Sequence, residues 1–235
     1  RGAGSMRKHR DGTLTYAPSD LVRFHGSPFA TWMDRFALER PGVVTPDEAD
    51  DQDRLVLELG VAHERRYLGT LKAAGRAVVE IEQERDADAR TRAALEAGPD
   101  VVYQASLAAG GFAGFADFLE RVEGPSALGA FHYEVADTKV AGDAKPGYLL
   151  QLCAYAEMLE AVQGRRPERV HLVLRGDERR TYRTDDFFYV YRAVKEAFLA
   201  QMAAFDPDHP PEPDVGGNWG RWDGEARRRL EAADH

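Results

Sequence analysis

Between Val101 and Val140 the chain carries three apolar-rich segments in close succession, Val101 to Leu107, Phe112 to Val122 and Phe131 to Val140. They are separated by Gly110-Gly111 and by Gly124-Pro125-Ser126. Each segment has strand length and is rich in β-branched and aromatic residues, and the glycine and Gly-Pro-Ser groups supply the reversals. Consecutive strands joined by short turns pair antiparallel, so this stretch predicts a meander at the heart of one sheet. The rest of the chain has to pack around it.

The flanks alternate between the two periodicities. Ala77 to Glu82 reads as a strand, and Asp86 to Ala97 as a short helix closed by Gly98-Pro99. After the meander come a helix from Pro146 to Gly164, a strand at Val170 to Leu174, a short strand at Arg180 to Arg183, and a helix from Thr184 to Phe205. Upstream, the turn Tyr16-Ala17-Pro18-Ser19-Asp20 precedes Leu21, Phe24, Phe29, Trp32, Phe36 and Leu38 at helical spacing, and Pro28 divides them into two helices. Thr45-Pro46-Asp47-Glu48 signals the start of a long helix that runs through Leu55, Leu59, Ala62 and Leu71 towards Gly75. The expected fold is α/β of the α+β kind: a central mixed sheet flanked by helices, with a helical region over about 19–75 and a sheet core over about 77–205.

Residues 206–220 hold four prolines and three glycines, which predicts an extended arm, followed by a terminal helix from Arg221 to Ala233. Trp219 and Trp222 are expected to pack this arm onto the core. Arg1 to Ser5 are small and irregular ahead of Met6 and read as a remnant of an expression vector.

With 235 residues, 43% hydrophobic and 30% charged, the chain can bury a sizeable core. It lacks the roughly 18 consecutive apolar residues of a membrane span and the apolar run of a secretory signal, so a soluble, cytoplasmic protein is expected. The single cysteine, Cys153, excludes an internal disulfide, a cysteine zinc site and an iron–sulfur cluster. The formal net charge of -9 is opposite to that of most nucleic-acid binders. Arginines nevertheless cluster at Arg65-Arg66, Arg165-Arg166-Arg169 and Arg227-Arg228-Arg229, and a carboxylate site that binds cations contributes negative charge of its own.

Four groups of residues carry candidate chemistry. In Glu134-Val135-Ala136-Asp137-Thr138-Lys139, Asp137 and Lys139 are two apart on a strand and project from one face. The bland alternative is a solvated sheet edge. Asp117 stands inside the apolar run Gly114-Phe115-Ala116-Asp117-Phe118-Leu119, where an unpaired acid is costly. It needs either a partner such as an arginine or, if its strand pairs with that of Asp137, a shared hard cation held by oxygen ligands. On the following helix Gln151 and Tyr155 lie four apart on one face, beside Tyr148, while Leu149, Leu152, Ala156 and Leu159 can face the sheet. They are either site residues or ordinary interfacial ones. Finally, Gly60-Val61-Ala62-His63-Glu64 offers two polar candidates on the long helix.

Taken in order, Gly114-x-x-Asp117, Asp137-x-Lys139 and Gln151-x-x-x-Tyr155 resemble the PD-(D/E)xK nuclease superfamily, and within it the RecB-like branch that includes CRISPR-associated exonucleases. The resemblance covers about Ala17 to Phe205 and implies a restriction-endonuclease-like core. It also implies an acidic or histidine ligand four residues after a glycine on an early helix, which favours Glu64, with His63 second. Several RecB-like nucleases bind an iron–sulfur cluster through one early and three late cysteines; here Ser27 and the stretch Gly216-Gly217-Asn218-Trp219-Gly220 stand in those regions.

The resemblance thus implies a DNA nuclease of repair, recombination or defence, dependent on magnesium or manganese. Asp117, Asp137, the Thr138 carbonyl and Glu64 (or His63) would hold one or two ions. Lys139 would orient the attacking water or stabilise charge on the phosphate, and Gln151 and Tyr155 would position substrate or lysine. A helicase fused or associated beyond the arm is the implied partner. The alternatives are a nucleic-acid-binding module whose cleavage is dormant or partner-dependent, and a hydrolase of small phosphorylated substrates.

Overall fold

The computed structural model describes residues 5–233. Two short strands, β1 (Arg7–Lys8) and β2 (Leu14–Thr15), form an N-terminal hairpin. Helices α1 (Pro18–Gly26) and α2 (Pro28–Glu39) follow, divided at Ser27-Pro28 as expected. The proline suits a first helical position, and the Ser27 side chain accepts from the Ala30 amide at 3.1 Å to cap α2. At α1 the cap works in reverse: Asp20, fully buried, accepts from the Ala17 amide at 2.7 Å.

The long helix α3 spans Asp51–Ala73. It begins later than Thr45-Pro46 suggests, because the preceding segment is used elsewhere. The Asp47 amide donates to the Arg221 carbonyl and its carboxylate accepts from the Gly224 amide, so Asp50 becomes the cap, accepting from the Asp53 amide at 2.7 Å. Only the second half of α3 packs: Tyr67, Leu68 and Leu71 are buried, whereas Leu55 and Leu59 are about half exposed, at 55% and 50%.

The sheet consists of β3 (Val78–Glu80), β4 (Val101–Ala109), β5 (Phe112–Ser126), β6 (Gly129–Thr138), β7 (Arg169–Leu174) and β8 (Glu178–Arg183), hydrogen-bonded in that order. Helix α4 (Ala87–Ala97) connects β3 to its parallel neighbour β4, and α5 (Pro146–Gln163) connects β6 to its parallel neighbour β7. The other pairs are antiparallel, so the sheet is mixed and β4–β5–β6 is the expected meander. The second reversal, however, lies at Ala127-Leu128 and not at Gly124-Pro125-Ser126. Gly124 has φ +134° and marks a register shift between Glu123 and Ser126, so the strand bulges there and continues.

Helix α6 (Thr184–Ala203) lies against α5, and residues beyond it run to a 3-10 turn at Gly220–Trp222 and to α7 (Asp223–Ala233). No described helix is long and apolar enough to cross a membrane.

The sheet separates two apolar layers. The larger lies under α5, where Val102, Ala105, Leu107, Phe112, Ala116, Leu119, Val135 and Leu172 meet Leu149, Leu152, Ala156 and Leu159. The smaller lies under α3, where Val101, Phe118, Ala136 and Val173 meet Tyr67, Leu68 and Leu71. A third cluster joins α2 to the C-terminal segment: Trp222, 1% exposed, and Trp219 pack with Phe29, Trp32, Met33 and Phe36. The arm is therefore docked through its tryptophans, as their positions suggest.

Candidate functional site

The site arises where β5 and β6 part. Their pairing ends at Phe118 opposite Ala136, so one further step along the register brings Asp117 and Asp137 to the fork. There Asp117 Oδ2 accepts from the Thr138 amide at 3.3 Å, with the Thr138 hydroxyl at 3.5 Å. No arginine pairs with Asp117 among the described residues.

A break in strand alternation explains how an acid comes to stand in this apolar run. On β4, Val102 and Ala105 face the α5 layer and Tyr103 faces the α3 layer; on β5, Leu119 and Ala116 face the α5 layer and Phe118 the α3 layer. Strict alternation forbids a spacing of three on one face. Tyr103 pairs with Phe118 and Ala105 with Ala116, so Gln104 and Asp117 are the extra residues, one on each strand and opposite one another. Gln104 takes φ +56°, a left-handed conformation that costs a side-chain-bearing residue roughly 1–2 kcal/mol.

The consequence is that Tyr103 and Gln104, though adjacent, both reach Glu64 on α3. Glu64 Oε1 accepts from the Tyr103 hydroxyl and from Gln104 Nε2, each at 2.6 Å. Gln104 Nε2 also lies 3.5 Å from Asp117 Oδ1, and its own carbonyl accepts from Gln83 Nε2 at 2.9 Å. Burial, reinforced by the Glu64 hydrogen bond and charge, raises the Tyr103 hydroxyl well above its ordinary pKa.

Asp137 is 3% exposed, which excludes a solvated edge. The Lys139 ammonium contacts its Oδ2, and that oxygen accepts no well-formed hydrogen bond. Burial opposes the lysine's charge, but Asp137 and Asp117 outweigh it and hold the ammonium above its usual pKa. Lys139 also sits 5.5 Å from the centre of the Tyr148 ring, within cation–π range. Asp117 is raised as well, which for an acid favours the neutral form: burial, then the Asp137 and Glu64 carboxylates, lift it well above the usual carboxylate range.

These residues line one groove of about 550 Å³, together with Gln151 and Tyr155 from α5 and with Val56 and Leu57 from the exposed half of α3. Tyr155 is 5% exposed, and its hydroxyl is raised by burial and by Asp117 and Asp137. It fits only because position 114 is glycine: a Cβ there would lie 2.8 Å from the Tyr155 oxygen and 3.2 Å from Pro18 Cδ. Ser5 and Arg7 also reach the groove; residues 1–4, the rest of the segment read as vector-derived, lie outside the described residues.

Glu64, Asp117, Asp137, Thr138, Lys139, Gln151 and Tyr155 thus share one groove. His63 does not line it. Its Nε2 is 3.0 Å from the Val173 carbonyl and its Nδ1 3.0 Å from Arg66, which pairs with Asp177. Its place on the helix, one residue from Glu64, turns it onto the sheet instead. Sequence reasoning passed over Tyr103, Gln104 and Gln83. The signal for Gln104 was present in the spacing of Val102, Ala105 and Leu107, which skips from three to two.

The donor set fits a hard divalent cation. It is all oxygen and it brings three carboxylates against one ammonium, which occupies Asp137 Oδ2. Among the described residues no three His, Cys, Asp or Glu side chains converge closely enough to hold an ion by themselves. Main-chain carbonyl and water ligands would complete the shell, as magnesium commonly requires.

Comparison with protein-family models and with curated proteins found no match.

Proposed function

We propose that this protein is a divalent-metal-dependent DNA nuclease of the PD-(D/E)xK type, with Asp117, Asp137 and Lys139 at its centre. The observation that carries the proposal is the convergence of these three with Glu64, Gln151 and Tyr155 in one groove, from four separate elements of the chain. The ordered motif and this convergence support each other without either depending on composition.

Asp117 and Asp137, with Glu64 and the Thr138 carbonyl, would hold magnesium or manganese. The cation would supply Lewis acidity at a phosphate oxygen and lower the pKa of water. Lys139 contributes a permanent positive charge next to both aspartates, suited to steadying negative charge as it develops on a phosphate. Tyr155, kept protonated by its surroundings, is a hydrogen-bond donor towards an anion, and Gln151 offers both a donor and an acceptor at the groove wall. The acidity of the chain is concentrated in part at this site, where cation binding offsets it.

Two observations favour a site whose cleavage is dormant or partner-dependent, as in a nucleic-acid-binding module: the Lys139 ammonium rests on Asp137, and the three carboxylates do not converge fully. A fused or associated helicase would be the partner in that case. Incubation of end-labelled single- and double-stranded DNA with magnesium, manganese or chelator separates the readings. The nuclease reading predicts cleavage that chelator abolishes; intact DNA under every condition, with DNA binding retained, would establish the binding module instead.

A further inference from the structure

We infer that Gln104 is a positioning residue that sets Glu64 and Asp117 to receive a divalent cation, with Gln83 fixing the orientation of its amide. The inference rests on the metal-site reading above and adds a residue that lies outside the motif on which that reading was built.

The geometry singles out Gln104. It is one of two non-glycine residues with positive φ in the described chain, and the other, Asp177, lies in the β7–β8 turn beside Gly176. Turns tolerate such a conformation; the middle of a strand in a sheet does not favour it. The irregularity persists at the one point where β4 faces Asp117, and its effect is to deliver the amide to the α3 side of the sheet. There Nε2 bridges the two carboxylates, 2.6 Å from Glu64 Oε1 and 3.5 Å from Asp117 Oδ1.

An amide has a donor end and an acceptor end, and only the donor end serves two carboxylates. Gln83 Nε2, 2.9 Å from Gln104 Oε1, supplies the donor that keeps the acceptor end turned away. Tyr103 shares Glu64 Oε1 with Gln104, so that oxygen is engaged twice, while Oε2 is engaged by neither. Without a donor between them, Glu64 and Asp117 repel each other in a partly buried setting, and Glu64 is free to swing out on its helix. Gln104 therefore gathers charge of one sign ahead of the cation that neutralises it.

The test compares Mn2+ affinity and thermal stability in the wild type, Asp117→Ala, Gln104→Gly and Gln104→Asn. Titration calorimetry with Mn2+ alone reads the first, and the thermal midpoint without metal reads the second. Glycine accepts positive φ freely and asparagine tolerates it, so neither variant should unfold the strand. Wild type should bind and Asp117→Ala should not. Both Gln104 variants should bind about 10–100-fold more weakly, the range seen when residues that orient metal ligands are lost, with the glycine variant at least as heat-stable as wild type. Wild-type affinity in both variants overturns the inference and leaves the metal site standing. Affinity lost together with several degrees of stability makes Gln104 a structural residue and also overturns it. No Mn2+ binding by the wild type overturns the metal site and the inference together.

Discussion

Removal of the Asp34 carboxylate should loosen the C-terminal segment measurably. Asp34 lies on α2 and is 3% exposed. Its Oδ2 accepts from Arg23 at 2.7 Å; its Oδ1 accepts from Arg221 Nη2 at 2.7 Å, Arg221 Nε at 3.0 Å and the Trp222 indole N–H at 2.7 Å. The two arginines are 29% and 46% exposed, so water can replace much of what they lose, and each pair contributes about 1 kcal/mol or less. Trp222 is different. It is 1% exposed, and an indole N–H left unpaired in a packed cluster costs about 1–3 kcal/mol. Asp34→Ala should therefore cost roughly 2–4 kcal/mol in total. At about 2–4 °C per kcal/mol for a chain of this size, the thermal midpoint should fall by about 4–16 °C. Asp34→Asn, which keeps an acceptor for the indole, should lose less than half as much. Arg221→Ala should shift the midpoint by no more than about 4 °C. Differential scanning calorimetry of the three variants, with Trp222 fluorescence as a local reporter, decides the matter. A loss under 2 °C for Asp34→Ala, or an equal loss for Arg221→Ala, would refute the assignment of the energy to the buried indole.

Two other perturbations test the surroundings of the site. Glu120 on β5 is a buried acid whose charge burial disfavours, but paired hydrogen bonds and charge from Arg179, then His171 and the Tyr67 hydroxyl, hold its pKa below the ordinary value. A depressed carboxyl stabilises the fold fully above its unfolded pKa, about 4.3, and that stability is lost as pH falls through the lower folded value. Urea midpoints measured from pH 7 to pH 3 should therefore drop more steeply below about pH 4.3 in wild type than in Glu120→Gln; parallel curves would contradict the pairing. Gly114→Ala places a methyl group 2.8 Å from the Tyr155 oxygen and 3.2 Å from Pro18. It should cost about 1–3 kcal/mol and displace Tyr155, lowering both the thermal midpoint and any cleavage rate; a variant unchanged in both would show that the contact relaxes freely.

Much of the fold was legible because the meander and its flanking helices follow two simple periodicities. The approach of Asp117 to Asp137 was foreseen on the condition that their strands pair, as they do up to Phe118 and Ala136, and the placement of Gln151 and Tyr155 followed from helical spacing. What escaped was non-local. The start of α3 moved because Asp47 is recruited by Arg221 and Gly224, far away in sequence. Leu55 and Leu59 carry core-like spacing, yet they lie on the unpacked half of α3, with Val56 and Leu57 on the groove wall. Gln104 escaped because its only mark is the three-residue step from Val102 to Ala105; a left-handed residue inside a strand has no residue-type signature when it is not glycine. The resemblance ranked Glu64 ahead of His63, and the sheet then showed that His63 faces it while Glu64 lines the groove.

Cleavage by Lys139→Ala, compared with wild type under saturating magnesium or manganese, tests the central claim most directly. Lys139 is 23% exposed and its only ion-pair partner among the described residues is Asp137, 4% exposed, so the variant loses stability and its folding is checked by circular dichroism and by a thermal midpoint above the assay temperature. The nuclease reading predicts metal-dependent cleavage by the wild type and a rate at least about 100-fold lower in the variant, the scale of losing one group that stabilises the transition state. Full cleavage by a folded Lys139→Ala protein would contradict it.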